Sequence, residues 1–282
     1  MKIDLEPTGE RVLEDAYMQS LGTYTIYAMH AASYAFVQNL CTGKKVLDFG
    51  CGSGYGTRRI SDIAEEAYGV DIAGDAVEYA RTRYHNKNLH FLQIDPQSPL
   101  PFPAGSFDVV LSFQVIEHVN DDEAYLREAH RLLKPGGTLV LITPDRKNRL
   151  LPGQKPWNRW HLREYGMAQL SGKVRKYFQL KSELRMGAPR RIAATEIDRY
   201  TRTKWLTLPA TLFFIPEPVR RTALDVVHAV IGKLRRHKPA PPHGAAAGYG
   251  FDENDFIISN DPPYSMNLVL VAERRREDPP HV

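Results

Sequence analysis

The stretch KKVLDFGCGSGYGT, residues 44–57, decides the fold. Lys44 to Phe49 reads as a short strand, and glycines at 50, 52, 54 and 56 make the turn that follows it. A helical segment (57–66) comes next. A strand feeding a glycine-rich turn and then a helix points to a nucleotide-type ligand at the carboxyl edge of a parallel sheet.

The same rhythm continues downstream. Residues 67–70 form a second strand ending at Asp71, and residues 75–85 a helix. Residues 89–94 form a third strand ending at Asp95, followed by the proline-rich loop PQSPLPFPAGS (96–106). Residues 107–112 read as a fourth strand. An amphipathic helix over 121–134 places Tyr125, Ala129, Leu132 and Leu133 on one face and stops at Pro135-Gly136-Gly137. Residues 138–143 are the fifth strand. Strands and helices alternating at this spacing predict an α/β protein, a parallel sheet with helices on both faces.

Outside this block the pattern loosens. Residues 11–40 read as helical with an interruption at Gly22, and His30 and Tyr34 lie one turn apart. After Pro144 comes a basic, aromatic segment, DRKNRLLPGQKPWNRWHLREYG (145–166). A sixth strand is expected at 177–184 and closing strands at 256–259 and 267–272. Between them lies an insertion, 189–236, then a linker rich in proline, glycine and alanine. The domain reading is therefore residues 1–43 as a helical cap and 44–188 as core. Residues 189–250 are a basic and apolar helical insertion with its linker, and 251–282 the closing strands and tail.

Composition bounds the class. The chain has 282 residues, 43% hydrophobic and 25% charged, as in an ordinary globular protein. No stretch reaches the roughly 18 consecutive apolar residues of a membrane span. The first residues lack a secretory signal pattern. Two cysteines, Cys41 and Cys51, make neither a disulfide framework nor a zinc site, and free thiols fit a cytoplasmic setting. Residues 1–145 carry 12 basic and 20 acidic side chains, whereas residues 146–282 carry 25 and 13. The basic half suits an anionic partner.

Charge also chooses between ligands. The dinucleotide pattern G-x-G-x-x-G fails at its third glycine, where Tyr55 stands. Asp48 lies two residues before the first glycine, where a carboxylate repels a pyrophosphate but attracts an ammonium and a sulfonium. S-adenosylmethionine (SAM) carries both. Asp71 can accept both ribose hydroxyls, a device NAD proteins share, so it does not discriminate alone; Asp95 can accept the adenine amine. For any one aspartate a turn or cap would be the default; three successive strand ends with the glycine loop argue against it.

Here the chain resembles a family. VLDFGCGSGYGT, GVDIA, IDPQSPLPFPAGSFDVVLSFQVIEHV and LLKPGGTLVLITP are similar to the successive motifs of class I SAM-dependent methyltransferases, densely over residues 44–145. The resemblance implies a Rossmann-like fold with a mostly parallel seven-stranded sheet and an inserted helical segment. It implies cofactor contacts at Asp48, Gly50, Gly52, Asp71, Ile72 and Asp95, with Phe113 and Gln114 lining the same pocket. GERVLED (9–15), TPDRKNR, NRWHLREY and DFIIS further resemble a bacterial subgroup whose members accompany glycosyltransferases in surface-polysaccharide and O-antigen biosynthesis. That implies methyl transfer to a sugar hydroxyl or a phosphate of a surface glycan, or of its lipid-linked precursor, in the cytoplasm or at the inner membrane face; a phosphate would need no base. The alternative acceptor is a lipophilic small molecule such as a quinone or polyketide.

A hydroxyl acceptor must lose a proton, and the catalytic candidates are His118, just beyond the fourth strand, and His161, in the basic aromatic segment. His30, Tyr34, Trp157, Arg159 and Arg163 are the candidate acceptor contacts. For His118 and His161 the duller role is loop hydrogen bonding, for Tyr34 core packing and for the arginines a solvated surface; Trp157, with Trp160, suits sugar or apolar contacts. Residues 205–236 combine an apolar face (Val219, Ala223, Val226, Val227, Val230, Leu234) with basic ends. This is the composition of a peripheral membrane element, or of a lid packed on the domain. No RNA-binding motif is visible, which disfavours an RNA-binding or RNA-modifying protein. No metal site is expected. A non-catalytic SAM-binding subunit is disfavoured by the intact glycine and acidic positions.

Overall fold

The structure is a computed structural model that describes residues 17–18, 20–235 and 249–276. GERVLED lies outside them. In chain order the elements are α1 (Leu21–Phe36), α2 (Gln38–Cys41), β1 (Lys45–Phe49), α3 (Tyr55–Ser61), β2 (Glu66–Asp71), α4 (Gly74–Arg83), β3 (Leu89–Gln93) and β4 (Phe107–Phe113). There follow α5 (Asp122–Leu132), β5 (Leu133–Pro144), α6 (Arg146–Arg149), α7 (Met167–Val174), β6 (Gln179–Gly187), α8 (Arg190–Thr211), α9 (Glu217–Arg235), β7 (Ile257–Ser259) and β8 (Asn267–Glu273).

One sheet runs β3-β2-β1-β4-β5-β8-β6-β7. β1 to β5 pair in parallel, while β8 is antiparallel to both β5 and β6. The sheet has eight strands rather than the expected seven, because β7 adds three residues to the outer edge of β6. The strand order reverses direction between β1 and β4, and crevices for ligands open at the carboxyl edge of such a reversal.

Alternation along the strands builds both faces. Val46, Val109, Leu111, Val140, Ile142 and Val269 point into one apolar cluster, and Leu47, Val110, Leu139, Leu141, Leu268 and Leu270 into the other. This period of two is what a sheet covered on both sides requires. The first cluster is closed by Ala28, Met29 and Ala32 of α1 and by Ile192, Ala193 and Tyr200 of α8. The second is closed by Leu126, Ala129 and Leu132 of α5 and by Leu170 and Val174 of α7.

α1 begins at Ser20, whose Oγ accepts from Thr23 N at 3.2 Å; the interruption expected at Gly22 is thus the start of the helix. α5 begins at Asp121, whose carboxylate accepts from Ala124 N at 2.8 Å, and acidic Asp122 and Glu123 in its first turn suit the helix dipole.

On α9 Arg220 and Leu224 are buried, whereas Val219 and Val226 of the apolar face read from the sequence are 55% and 59% exposed, so these two do not pack on the domain. Burial of Arg220 is explained by its partners, which belong to the candidate site.

Candidate functional site

The site grows from the carboxyl edge of β1, β2, β4 and β5. The glycine turn is pinned to β2: Gly50 N and Cys51 N both donate to Val70 O, at 2.8 and 3.0 Å, and Gly52 N donates to Asp71 Oδ2 at 2.9 Å. Gly50 has φ +101°, and a Cβ there would sit 2.3 Å from Cγ2 of Val115, in the segment following β4. Gly52 has φ +53°, and a Cβ there would meet nothing within 4 Å. One glycine permits close packing below the turn; the other leaves its crest open toward a ligand.

Asp48 is 1% exposed. Its Oδ2 accepts from Tyr34 Oη at 3.0 Å and from Thr57 Oγ1 at 2.6 Å, tying α1 and α3 to the end of β1. Its Oδ1 is buried with no hydrogen-bond partner. Burial pushes the Asp48 carboxyl up to about 6; the two hydroxyl hydrogen bonds oppose that shift and nearby Asp71 adds to it. Asp48 is a buried anchor with one oxygen left over.

Asp71 is half-buried. Oδ2 accepts from Gly52 N and Oδ1 from Ala73 N, each at 2.9 Å. A carboxylate has about four acceptor positions, so both oxygens retain capacity for hydroxyls. Beside it Ile72 is 59% exposed, an apolar side chain held in the open at the sheet edge. Asp95 is exposed, and its carboxylate accepts from Gln97 N at 2.9 Å and Ser98 Oγ at 3.0 Å, so the turn role is filled at that position.

Phe113 is buried against the Tyr34 ring, with centroids 5.0 Å apart. Next to it Gln114 takes φ +58°, a left-handed conformation uncommon for a residue with a side chain. Tyr34, a candidate acceptor contact, is buried between Asp48, to which it donates, and the Phe113 ring.

A second group lies just past β4. One ligating atom from each of Glu117, His118 and His161 falls within 4.8 Å of the others, and the two imidazole rings meet edge to face at 4.8 Å. Glu117 is fully buried. Its Oε2 accepts from Thr143 Oγ1 at 2.8 Å, and its Oε1 has no partner. His118 is half-buried, with Nδ1 3.2 Å from Trp160 O. His161 is buried, with Nδ1 2.9 Å from Glu164 Oε1.

Glu164 is held by Arg149 of α6, whose Nε reaches Oε2 and whose Nη2 reaches Oε1, both at 3.0 Å. Burial pushes the Glu164 carboxyl up, but the charge of Arg149 and the His161 hydrogen bond outweigh it and hold the group down at about 2. Arg220 of α9 completes the frame. Its guanidinium pairs with Glu217 and donates to the carbonyls of Pro156, Asn158 and His161, fixing the loop that carries His161.

The other expected acceptor contacts divide. Trp157 is 5% exposed, donates Nε1 to Arg149 O at 3.0 Å and packs against Tyr200, so it belongs to the core. Arg163 donates to Val119 O and Asn120 O at 2.7 and 2.9 Å and pairs with Asp122; it braces the loop after β4 rather than gripping an anion. Arg159 pairs with Asp225 of α9 and lies over the ring of Trp160, which is 51% exposed. His30 is half-buried on α1 and is no part of the cluster around His161. Reading the sequence did not single out Glu164, Arg149 or Arg220. The one local signal was Glu164 three residues after His161. A depression of about 730 Å³ lined by Tyr68, Tyr84, His85 and His90 lies away from this edge and carries none of these groups.

Residues 47–141 match the model of a family described as methyltransferase domain, and the fold is the Rossmann-like one of class I methyltransferases. A probable S-adenosylmethionine-dependent methyltransferase of Mycolicibacterium smegmatis is 34% identical over 165 residues, covering 58% of this chain and 61% of the relative. A ubiquinone biosynthesis O-methyltransferase of Methylococcus capsulatus is 30% identical over 126 residues, 43% of this chain and 53% of the relative. The crystal structure of an S-adenosylmethionine-dependent methyltransferase from Mesorhizobium loti superposes with a TM-score of 0.52 at 16% identity, covering 86% of this chain and 98% of that one. The chain thus spans about three fifths of the length of the curated relatives it matches first, 57% to 61%.

Proposed function

We propose that this protein is a SAM-dependent methyltransferase whose acceptor is an oxygen of a surface glycan or of its lipid-linked precursor. One observation carries the reading. A buried, unpartnered carboxylate oxygen on Asp48 and the open crest at Gly52 share a sheet edge with two imidazoles that meet edge to face. The first pair fits a cation-bearing adenosyl ligand; the second fits a group that must shed a proton.

When bound, SAM supplies an electrophilic methyl group on a sulfonium, and in-line displacement there needs alignment and dryness more than covalent help. This chain's residues provide both. Asp48 Oδ1 would receive the ammonium, Asp71 would accept the ribose hydroxyls, and Ile72 would offer apolar surface to the adenine. Phe113 and Tyr34 keep water from the reacting centre. His118 and His161 mark where the acceptor oxygen sits and its proton leaves, and Glu164 and Arg220 fix the His161 ring and its loop.

The test is transfer of labelled methyl from SAM into glycan, lipid, quinone and RNA fractions, alongside calorimetry of SAM binding. Label should enter the glycan or lipid-linked glycan pool, and Asp71→Ala should abolish SAM heat. Heat with NAD but none with SAM would overturn the reading. The ubiquinone O-methyltransferase relative supports the second reading, a lipophilic acceptor, which label in the quinone pool would establish.

Contact with the inner membrane face is part of the proposal. Among the described residues no helix is long and apolar enough to cross a membrane. The insertion nevertheless exposes Trp205, Leu206, Phe213, Phe214, Val219 and Val226, each more than half accessible, on a basic segment. Vesicles containing anionic lipid should float the protein, and Phe213→Ser with Val226→Ser should abolish flotation. Unchanged flotation of that variant would exclude this surface.

A further inference from the structure

We infer that Glu117, His118 and His161 form a binding site for a first-row divalent cation of the Zn²⁺, Mn²⁺ or Fe²⁺ kind, which holds the acceptor oxygen. The inference rests on the methyltransferase reading for what the cation does, but not for whether it binds. Two imidazoles and one carboxylate are a donor set such ions prefer, and three protein donors leave coordination positions open. Donors around an ion bound at about 2.1 Å lie up to about 4.2 Å apart, so the present spread of 4.8 Å closes with a small side-chain adjustment.

Three features separate this group from a chance meeting of polar side chains. First, Glu117 is fully buried, yet Oε1 has no hydrogen-bond partner while Oε2 is satisfied by Thr143. A carboxylate oxygen buried unpaired is costly unless a cation meets it. Second, both imidazoles are oriented from behind. Nδ1 of His161 is bonded to Glu164, and Nδ1 of His118 faces the Trp160 carbonyl. Carboxylate and carbonyl partners of this kind fix the tautomer that leaves Nε2 as the coordinating nitrogen. Third, the charge of Glu164 is answered by Arg149, so the Glu117 carboxylate supplies the local negative charge for an ion.

The site is open on one side, because His118 is only half-buried while Glu117 and His161 are closed off. With adjacent coordination positions vacant, it suits an acceptor that presents two neighbouring oxygens, a vicinal diol or a catechol. A bound hydroxyl loses its proton to water more readily, since a divalent cation lowers the pKa of an oxygen it holds. The acceptor oxygen then bonds to the methyl carbon as the carbon–sulfur bond breaks, and that electron pair returns to sulfur.

The experiment uses the full chain, stripped with a chelator and titrated with Co²⁺ as a visible probe, then with Zn²⁺ and Mn²⁺ in competition. One Co²⁺ per chain should bind with d–d bands of a nitrogen- and oxygen-ligated ion. Glu117→Gln and His118→Gln should each weaken Co²⁺ binding at least tenfold while leaving SAM calorimetry unchanged. His85→Gln, an exposed histidine elsewhere, should leave Co²⁺ binding as it is. Absence of stoichiometric binding in the wild type, or wild-type affinity in a folded Glu117→Gln chain, overturns the cation site. If SAM binds and Co²⁺ does not, the cation site falls and the methyltransferase reading stands. If Co²⁺ binds and SAM does not, the reverse holds.

Discussion

Asp48 and Glu164 are both buried carboxylates at the functional edge, and they are treated oppositely. Glu164 receives a hydrogen bond from Arg149 Nε, an ion-pair contact from its Nη2 and a bond from His161, and its carboxyl is held at about 2. Asp48 receives two neutral hydroxyls, faces no cation among its hydrogen-bond partners, and is pushed up to about 6. One charge is compensated within the chain. The other is left for something to arrive. The contrast supports the roles proposed above: a compensated buried charge holds shape, and an uncompensated one suits a cationic ligand.

The comparison can be broken by substitution. The largest effect is expected for Glu164→Ala, which strands Arg149 in the interior. Breaking one side of a buried pair costs about 3–5 kcal/mol, and at roughly 2–4 °C per kcal/mol the melting temperature should fall by about 10 °C. A Glu164→Ala chain melting like the wild type would show that the pair is not structural. Asp48→Asn should do the reverse. The amide keeps an oxygen for Tyr34 and Thr57 and removes the unpaired charge, so the ligand-free protein should melt at or above the wild type. SAM affinity should nevertheless drop about tenfold, the size of one lost charge-assisted hydrogen bond. A lower melting point with unchanged affinity would reverse the roles given to these two residues.

The smallest effect is a matter of pH. The ordinary aspartate value is 3.8 and that of folded Asp48 is about 6, so between these the folded chain keeps a proton the unfolded chain has released. Stability therefore declines as pH rises through that window and levels off above it. SAM affinity runs the other way. It needs the ionised carboxylate and should weaken as pH falls below about 6, with the slope absent in Asp48→Asn. Calorimetric titration at several pH values reads this directly.

Much of this site was legible in the sequence because its signals are local. The glycine turn, Asp71 and Ile72 stand at strand ends whose apolar alternation is unmistakable, and the structure puts them at one edge. Asp48 was legible as an acid but not as a buried one, since its burial comes from Tyr34 and Thr57 closing over it from two helices. Long-range pairings were opaque. Nothing near Arg163 in sequence foretells the carbonyls of Val119 and Asn120, and Trp157 reads as an acceptor contact until Tyr200 of α8 packs on it. At the outer edge the strand expected over 256–259 is β7, and only the seven-strand count implied by the resemblance fell one short. On α9 the apolar stripe was visible, but which stripe faces inward was decided by one arginine.

That arginine constrains how the protein can be dissected. Arg220 is a peg driven from the inserted helix into the 156–161 loop, with the backbone of His161 hanging on it. Cutting away residues 205–236 to ask what the insertion touches outside would also pull the peg and slacken the histidine within. Only substitutions on the outward side of the insertion can ask the one question without answering the other.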